Sequence, residues 1–125
     1  MSGTIKPICI LDDDSSVLNS LRELLASDGF EARTFDRADQ FLAYAQEHPV
    51  NLAVLDVWMP EMNGVAVQER LHELSPDTRV IIITAREEPA IRTAAMEGGA
   101  FAFVGKPFDD EMFLKLVRGA LSEAS

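Results

Sequence analysis

Five positions in this chain set a chemically capable side chain at the end of an apolar run. Asp12 and Asp13 follow "ICIL", Asp56 follows "LAVL", Thr84 follows "VIII" and Lys106 follows "FVG". If those runs are parallel strands, all five side chains meet at one edge of a sheet. Carboxylates gathered in one crevice repel one another, and their pKa values rise unless a cation is present. Oxygen ligands suit a hard divalent ion, Mg2+ or Mn2+. Mg2+ typically takes one or two carboxylates and completes its shell with waters and phosphate oxygens. That chemistry is phosphoryl transfer. A lysine ammonium and a threonine hydroxyl would take the remaining phosphoryl oxygens, so the step would rest on positioning and charge neutralisation, with one carboxylate as nucleophile.

Taken singly, each position has a plainer reading. Asp12, Asp13 and Asp14 could form a capping cluster at a helix N-terminus. Asp56 could start a loop, Thr84 alone says little, and Lys106-Pro107 alone reads as a surface loop. The joint pattern carries the argument, because the required residue types fall at strand ends in the required order.

The elements that must position these residues are legible from periodicity. Pro7 to Leu11 is a short apolar run, and Val17, Leu18, Leu21, Leu24 and Leu25 then recur at helical spacing, with Asp14 or Ser15 as cap and Gly29 as stop. Glu31 to Phe35 alternates polar and apolar residues and predicts an edge strand. Ala38, Phe41, Leu42 and Ala45 mark a second helix ended by His48-Pro49. Asn51 to Leu55 predicts the third strand. A helix carrying Val67, Leu71 and Leu74 follows, closed by Ser75-Pro76. Arg79 to Ile83, the most β-branched stretch, predicts a central strand buried on both faces. Ile91, Ala94, Ala95 and Gly98 give a short helix, Phe101 to Val104 a fifth strand, and Phe113, Leu116, Val117, Ala120 and Leu121 the apolar stripe of a last helix. Strand then helix, repeated, calls for an α/β fold: a parallel sheet covered by helices on both faces, with ligands at the carboxyl ends of its strands.

At 125 residues the chain is expected to form one domain, 1–125, large enough for a core without disulfides or a structural metal. Apolar residues at 47% and charged residues at 26% fit a globular protein. The 21 acidic against 11 basic residues give a net charge of −10, which opposes direct binding to nucleic acid or an anionic membrane surface. The single cysteine, Cys9, excludes an internal disulfide and fits a reducing compartment. The opening "MSGTIKPICIL" carries no run long enough for a signal peptide, and nothing later approaches a membrane span, so a cytoplasmic protein is expected.

Four ordered motifs, "ILDDDSS", "LDVWMPEMNG", "IIITA" and "FVGKPF", resemble the receiver domain of bacterial two-component response regulators over essentially the whole chain. The resemblance implies a flavodoxin-like doubly wound (β/α)5 sheet in strand order 2-1-3-4-5. It also implies that Asp56 is the phosphoacceptor, receiving its phosphoryl group from a sensor histidine kinase. Asp12, Asp13, Asp56 and the backbone carbonyl of Trp58 would hold Mg2+, leaving Asp14 to cap the first helix. Lys106 would pair with the phosphoryl group, its loop shaped by a cis bond to Pro107, which only proline readily permits.

Thr84 would swing its hydroxyl toward the phosphoryl group and vacate space for the aromatic switch residue Phe103. Many relatives have tyrosine there; phenylalanine has no hydroxyl, so its outward pose would depend on packing alone. Trp58 and Arg86 would flank the pocket mouth, where family members control the access of water to the acyl phosphate. "AMEGGAFAF" most resembles the branch that controls helix-turn-helix DNA-binding outputs. Phosphorylation would then reshape the surface of Glu88–Gly98 and Phe101–Ala120, which relatives use to dimerise.

His48 and His72 fall in helical segments of an alternating fold and read as solvated surface residues rather than phosphocarriers. "DVWMPEMNG" lacks the alternating oxygen ligands and closing glutamate of an EF-hand. Two other readings stay open. A haloacid-dehalogenase-type phosphohydrolase also uses aspartate, Mg2+, threonine and lysine, but places its nucleophile after the first strand and usually carries a cap domain. An unphosphorylated pseudo-receiver would share the fold alone. Any output domain would lie outside this chain.

Overall fold

Nearly continuous apolar runs form the middle of the sheet because both of its faces are covered. In the computed structural model, which describes residues 7–124, β1 (Ile8–Leu11) and β3 (Leu52–Asp56) are buried throughout. β4 (Arg79–Thr84) is buried except at its first residue. β2 (Ala32–Phe35) is half-exposed and lies at an edge, and β5 (Ala102–Gly105) forms the other edge. The strands are parallel in the order β2-β1-β3-β4-β5, the arrangement expected from the sequence. The opening residues, read as no signal peptide, lie outside the described residues through Lys6, as does Ser125.

Alternation within each strand divides the interior into two cores. Cys9, Leu11, Ala53, Leu55, Val80 and Ile82 point to one face, where Phe41 of α2 (Ala38–Glu47), Val67 and Leu71 of α3 (Gly64–Leu74) and Ala95 of α4 (Pro89–Glu97) cover them. Ile8, Ile10, Leu52, Val54, Ile81 and Ile83 point to the other, under Leu18, Leu21 and Leu25 of α1 (Ser15–Ser27) and Phe113, Val117 and Ala120 of α5 (Asp110–Ala124). Burial pushes the Cys9 thiol up to about 12, so it behaves as a core residue and not as a reactive thiolate.

Local signals end the helices as read. The Asp14 carboxylate accepts the Ser16 amide at 2.9 Å and the Ser16 hydroxyl at 2.7 Å, which makes Asp14 rather than Ser15 the α1 cap. Gly29 leaves α1 at φ +85°, a left-handed turn that costs glycine little. His48 is extended ahead of Pro49, as a residue preceding proline must be. The stripe of α3 differs from expectation: Leu74 is 38% exposed, whereas Gln68 is buried and donates to the Ala95 carbonyl at 3.0 Å. The reason is tertiary. Gly98 at the end of α4 has no side chain, and an added Cβ there would lie 3.2 Å from the Gln68 amide nitrogen, so the glutamine occupies that space. Among the described residues no helix is long and apolar enough to cross a membrane.

Candidate functional site

Strand register brings the predicted residues to one edge. Leu11 pairs with Leu55, Asp56 with Ile83 and Thr84 with Gly105, so the chain segments after β1, β3, β4 and β5 leave the sheet at nearly the same level. Asp12 is fully buried; its amide donates to the Phe35 carbonyl at 3.1 Å and its Oδ1 accepts the Asp14 amide at 2.9 Å. Asp56 is 4% exposed and Asp13 is exposed, and ligand oxygens of Asp12, Asp13 and Asp56 all lie within 4.8 Å of one another.

Lys106 closes the cluster. Its amide donates to the Thr84 carbonyl at 2.7 Å, its bond to Pro107 is cis as expected, and its Nζ sits 2.9 Å from Asp12 Oδ2 and 3.3 Å from Asp56 Oδ1. The ammonium therefore bridges the two buried carboxylates. Burial, and then the Asp12 charge, push the Asp56 carboxyl up to about 6 against the opposing pull of Lys106. Burial disfavours the Lys106 ammonium, but its hydrogen bond to Asp12 and the charges of Asp12 and Asp56 outweigh that and raise its pKa. One lysine is too little positive charge for this crevice, so the donor set suits an added hard cation.

Thr84 is fully buried and its hydroxyl is already engaged: it donates to the Arg86 carbonyl at 2.7 Å and accepts the Arg86 amide at 3.1 Å. Trp58, two residues beyond Asp56, and Arg86, two beyond Thr84, touch each other. The indole Nε1 donates to the Arg86 carbonyl at 3.0 Å, and the Arg86 guanidinium lies 4.3 Å from the centre of the indole ring. Phe103 is buried on the first core's face, with the Arg92 guanidinium 5.3 Å from its ring centre. The Arg92 cation over the ring adds to the packing that holds this phenylalanine.

Two contributors escaped the sequence reading. Gly64 approaches so closely that a Cβ would overlap the Asp56 carbonyl oxygen, while its amide donates to the Val57 carbonyl at 2.9 Å. A glycine immediately after the α3 cap, Asn63, was the available signal. Arg92 had none, since its contact with Phe103 joins α4 to β5 through tertiary packing. His48 and His72 are exposed and remote from these carboxylates in the fold, on α2's end and α3.

An open parallel sheet in this order, flanked by helices on both faces, is the flavodoxin-like doubly wound fold. The chain belongs to the response regulator receiver domain family, whose model matches residues 8–118. It is 37% identical over 124 residues to the response regulator protein TodT of Pseudomonas putida, covering 99% of this chain and 55% of that protein. It is 32% identical over 111 residues to the transcriptional regulatory protein FixJ of Rhizobium meliloti, covering 89% of this chain and 54% of that one. The chain thus spans about half the length of these relatives. Among solved structures, the beryllofluoride-activated NtrC4 receiver domain dimer superposes with a TM-score of 0.92 at 33% identity, covering 97% of this chain and 100% of that one. Membership in this family disfavours the haloacid-dehalogenase and pseudo-receiver readings.

Proposed function

We propose that Asp56 accepts a phosphoryl group from the phosphohistidine of a sensor kinase, and that the acyl phosphate so formed switches this domain on. One observation carries the reading: two buried carboxylates at adjacent strand ends share a single ammonium, with a third carboxylate in reach. Asp12, Asp13, Asp56 and the Trp58 carbonyl would hold Mg2+, with Mn2+ as a substitute. The ion would supply positive charge to the phosphoryl oxygens in transfer.

In that step an Asp56 carboxylate oxygen attacks phosphorus, the phosphorus–nitrogen bond breaks, and the imidazole, protonated on its other ring nitrogen, takes up the electron pair and leaves neutral. Lys106 then turns from its carboxylate partners to a phosphoryl oxygen. The Thr84 hydroxyl leaves the Arg86 carbonyl for another, and Phe103 moves into the space that Thr84 vacates. The domain catalyses only its own phosphorylation and dephosphorylation.

Release of Phe103 from Arg92 would change the surface of α4, β5 and α5. Met96 and Met112, 44% and 38% exposed, lie on that surface and supply an apolar patch for a homodimer. Residues 1–125 are read as one receiver domain in the cytoplasm, acting on a transcriptional output without itself binding nucleic acid or membrane. Trp58, the single tryptophan, stands two residues from Asp56 and reports on the site. Its fluorescence is expected to change on adding Mg2+ and again on adding beryllofluoride, a phosphoryl mimic. A flat response to both would count against the reading.

A further inference from the structure

Thr84, the last residue of β4, and Trp58, in the loop after β3, donate to one acceptor, the Arg86 carbonyl oxygen, at 2.7 and 3.0 Å. A carbonyl has two lone pairs, so both bonds form together. The Arg86 amide bonds back to the Thr84 hydroxyl at 3.1 Å, which closes a small ring between side chain and main chain. A threonine hydroxyl has one proton. While that proton points at Arg86, it cannot be donated to a phosphoryl oxygen on Asp56.

What keeps the Arg86 peptide in this orientation is not apolar packing, because every residue from Ala85 to Ala90 is exposed. The ion pairs Arg86–Glu88 at 3.4 Å and Arg92–Glu87 at 3.6 Å join residues of this segment and the start of α4 to one another. Exposed pairs of this kind contribute little. The Trp58 indole, half-buried and fixed by the β3 end, is the contact that reaches across to the carbonyl from outside the segment.

We propose that Trp58 is a positioning residue for the switch. Its indole N–H latches the Arg86 carbonyl in the orientation that receives the Thr84 hydroxyl, and so holds Thr84 in the resting arrangement. The proposal rests on the reading of Thr84 as a phosphoryl-binding residue. It differs from a lid over the acyl phosphate, because it acts on the resting protein, before any phosphoryl group arrives. Loosening the latch raises the fraction of molecules in the competent arrangement, and apparent affinity for a phosphoryl mimic rises with that fraction.

The test is calorimetric titration of beryllofluoride in Mg2+ into the wild type, Trp58→Phe, Thr84→Ala and the double variant. Phenylalanine keeps a flat apolar ring beneath the Arg86 guanidinium and lacks the N–H. Trp58→Phe is expected to tighten apparent binding about two- to tenfold, the range one net hydrogen bond commands, and that gain is expected to vanish in the Thr84→Ala background. In the unliganded Trp58→Phe protein, the Arg86 amide, which bonds Thr84, is expected to exchange faster with solvent while α1 amides do not. Binding by the wild type that Trp58→Phe leaves equal or weaker, a gain that persists without Thr84, or unaltered Arg86 exchange would overturn the latch alone. No binding by the wild type would overturn the phosphoacceptor reading, and the latch with it.

Discussion

Asp56 ties stability to pH through a carboxyl whose pKa burial raises from 3.8 to about 6. The folded protein then binds a proton more tightly than the unfolded chain, so this contribution is present below about pH 3.8 and is lost as pH rises through about 6. In metal-free protein, Asp56 should therefore lower stability by on the order of 2 kcal/mol at neutral pH. Scanning calorimetry is expected to show Asp56→Asn unfolding at a higher temperature than the wild type at about pH 7.5, with the difference shrinking toward about pH 4. Mg2+ is expected to raise the wild-type midpoint at about pH 7.5 and to lose that effect at about pH 5, where the proton competes. A Mg2+ effect of the same size in Asp56→Asn would contradict this assignment of the charge.

At the scale of elements, one residue fixes how closely α3 approaches β3. Because a Cβ at Gly64 overlaps the Asp56 carbonyl, Gly64→Ala must push the α3 start away from the strand end. A loss of about 1–3 kcal/mol in urea unfolding is expected, with weakened Mg2+ binding, since Asp56 moves with its carbonyl. Wild-type values for both would show that the loop absorbs the methyl. The strands and helices were legible because local patterns suffice for them: apolar runs stopped by Asp12, Asp56 and Thr84, the Asp14 cap, and proline at 49 and 76. The site's residue types were legible for the same reason, since each stands at a strand end. What stayed hidden depends on contacts between elements. Gln68 reads as a polar interruption of the α3 stripe until Gly98 is seen to make room for it, and Arg92 over Phe103 joins segments that no periodicity connects. Likewise the sequence shows a tryptophan two residues after Asp56 but not its bond to the Arg86 carbonyl.

For the whole molecule, β1, β3 and β4 are anchored between two cores, whereas α4 buries Ala95 alone among its described residues. A helix held so lightly can move at small cost, and it adjoins both the Thr84–Arg86 ring and the Phe103 edge. The proposed dimer face follows from that placement, and its exposed methionines give a direct check. Met96→Glu and Met112→Glu are expected to keep the protein monomeric in light scattering when beryllofluoride and Mg2+ are added, while the mimic still binds; dimers in both variants would move the interface elsewhere. Every step of the proposed switch begins with a phosphoryl group on one carboxylate. The most direct measurement is intact-mass spectrometry after incubation with acetyl phosphate and Mg2+. The prediction is the added mass of a single phosphoryl group, labile in base, mapped to Asp56 and absent from Asp56→Asn; no added mass in the wild type, or the same added mass in Asp56→Asn, would contradict it.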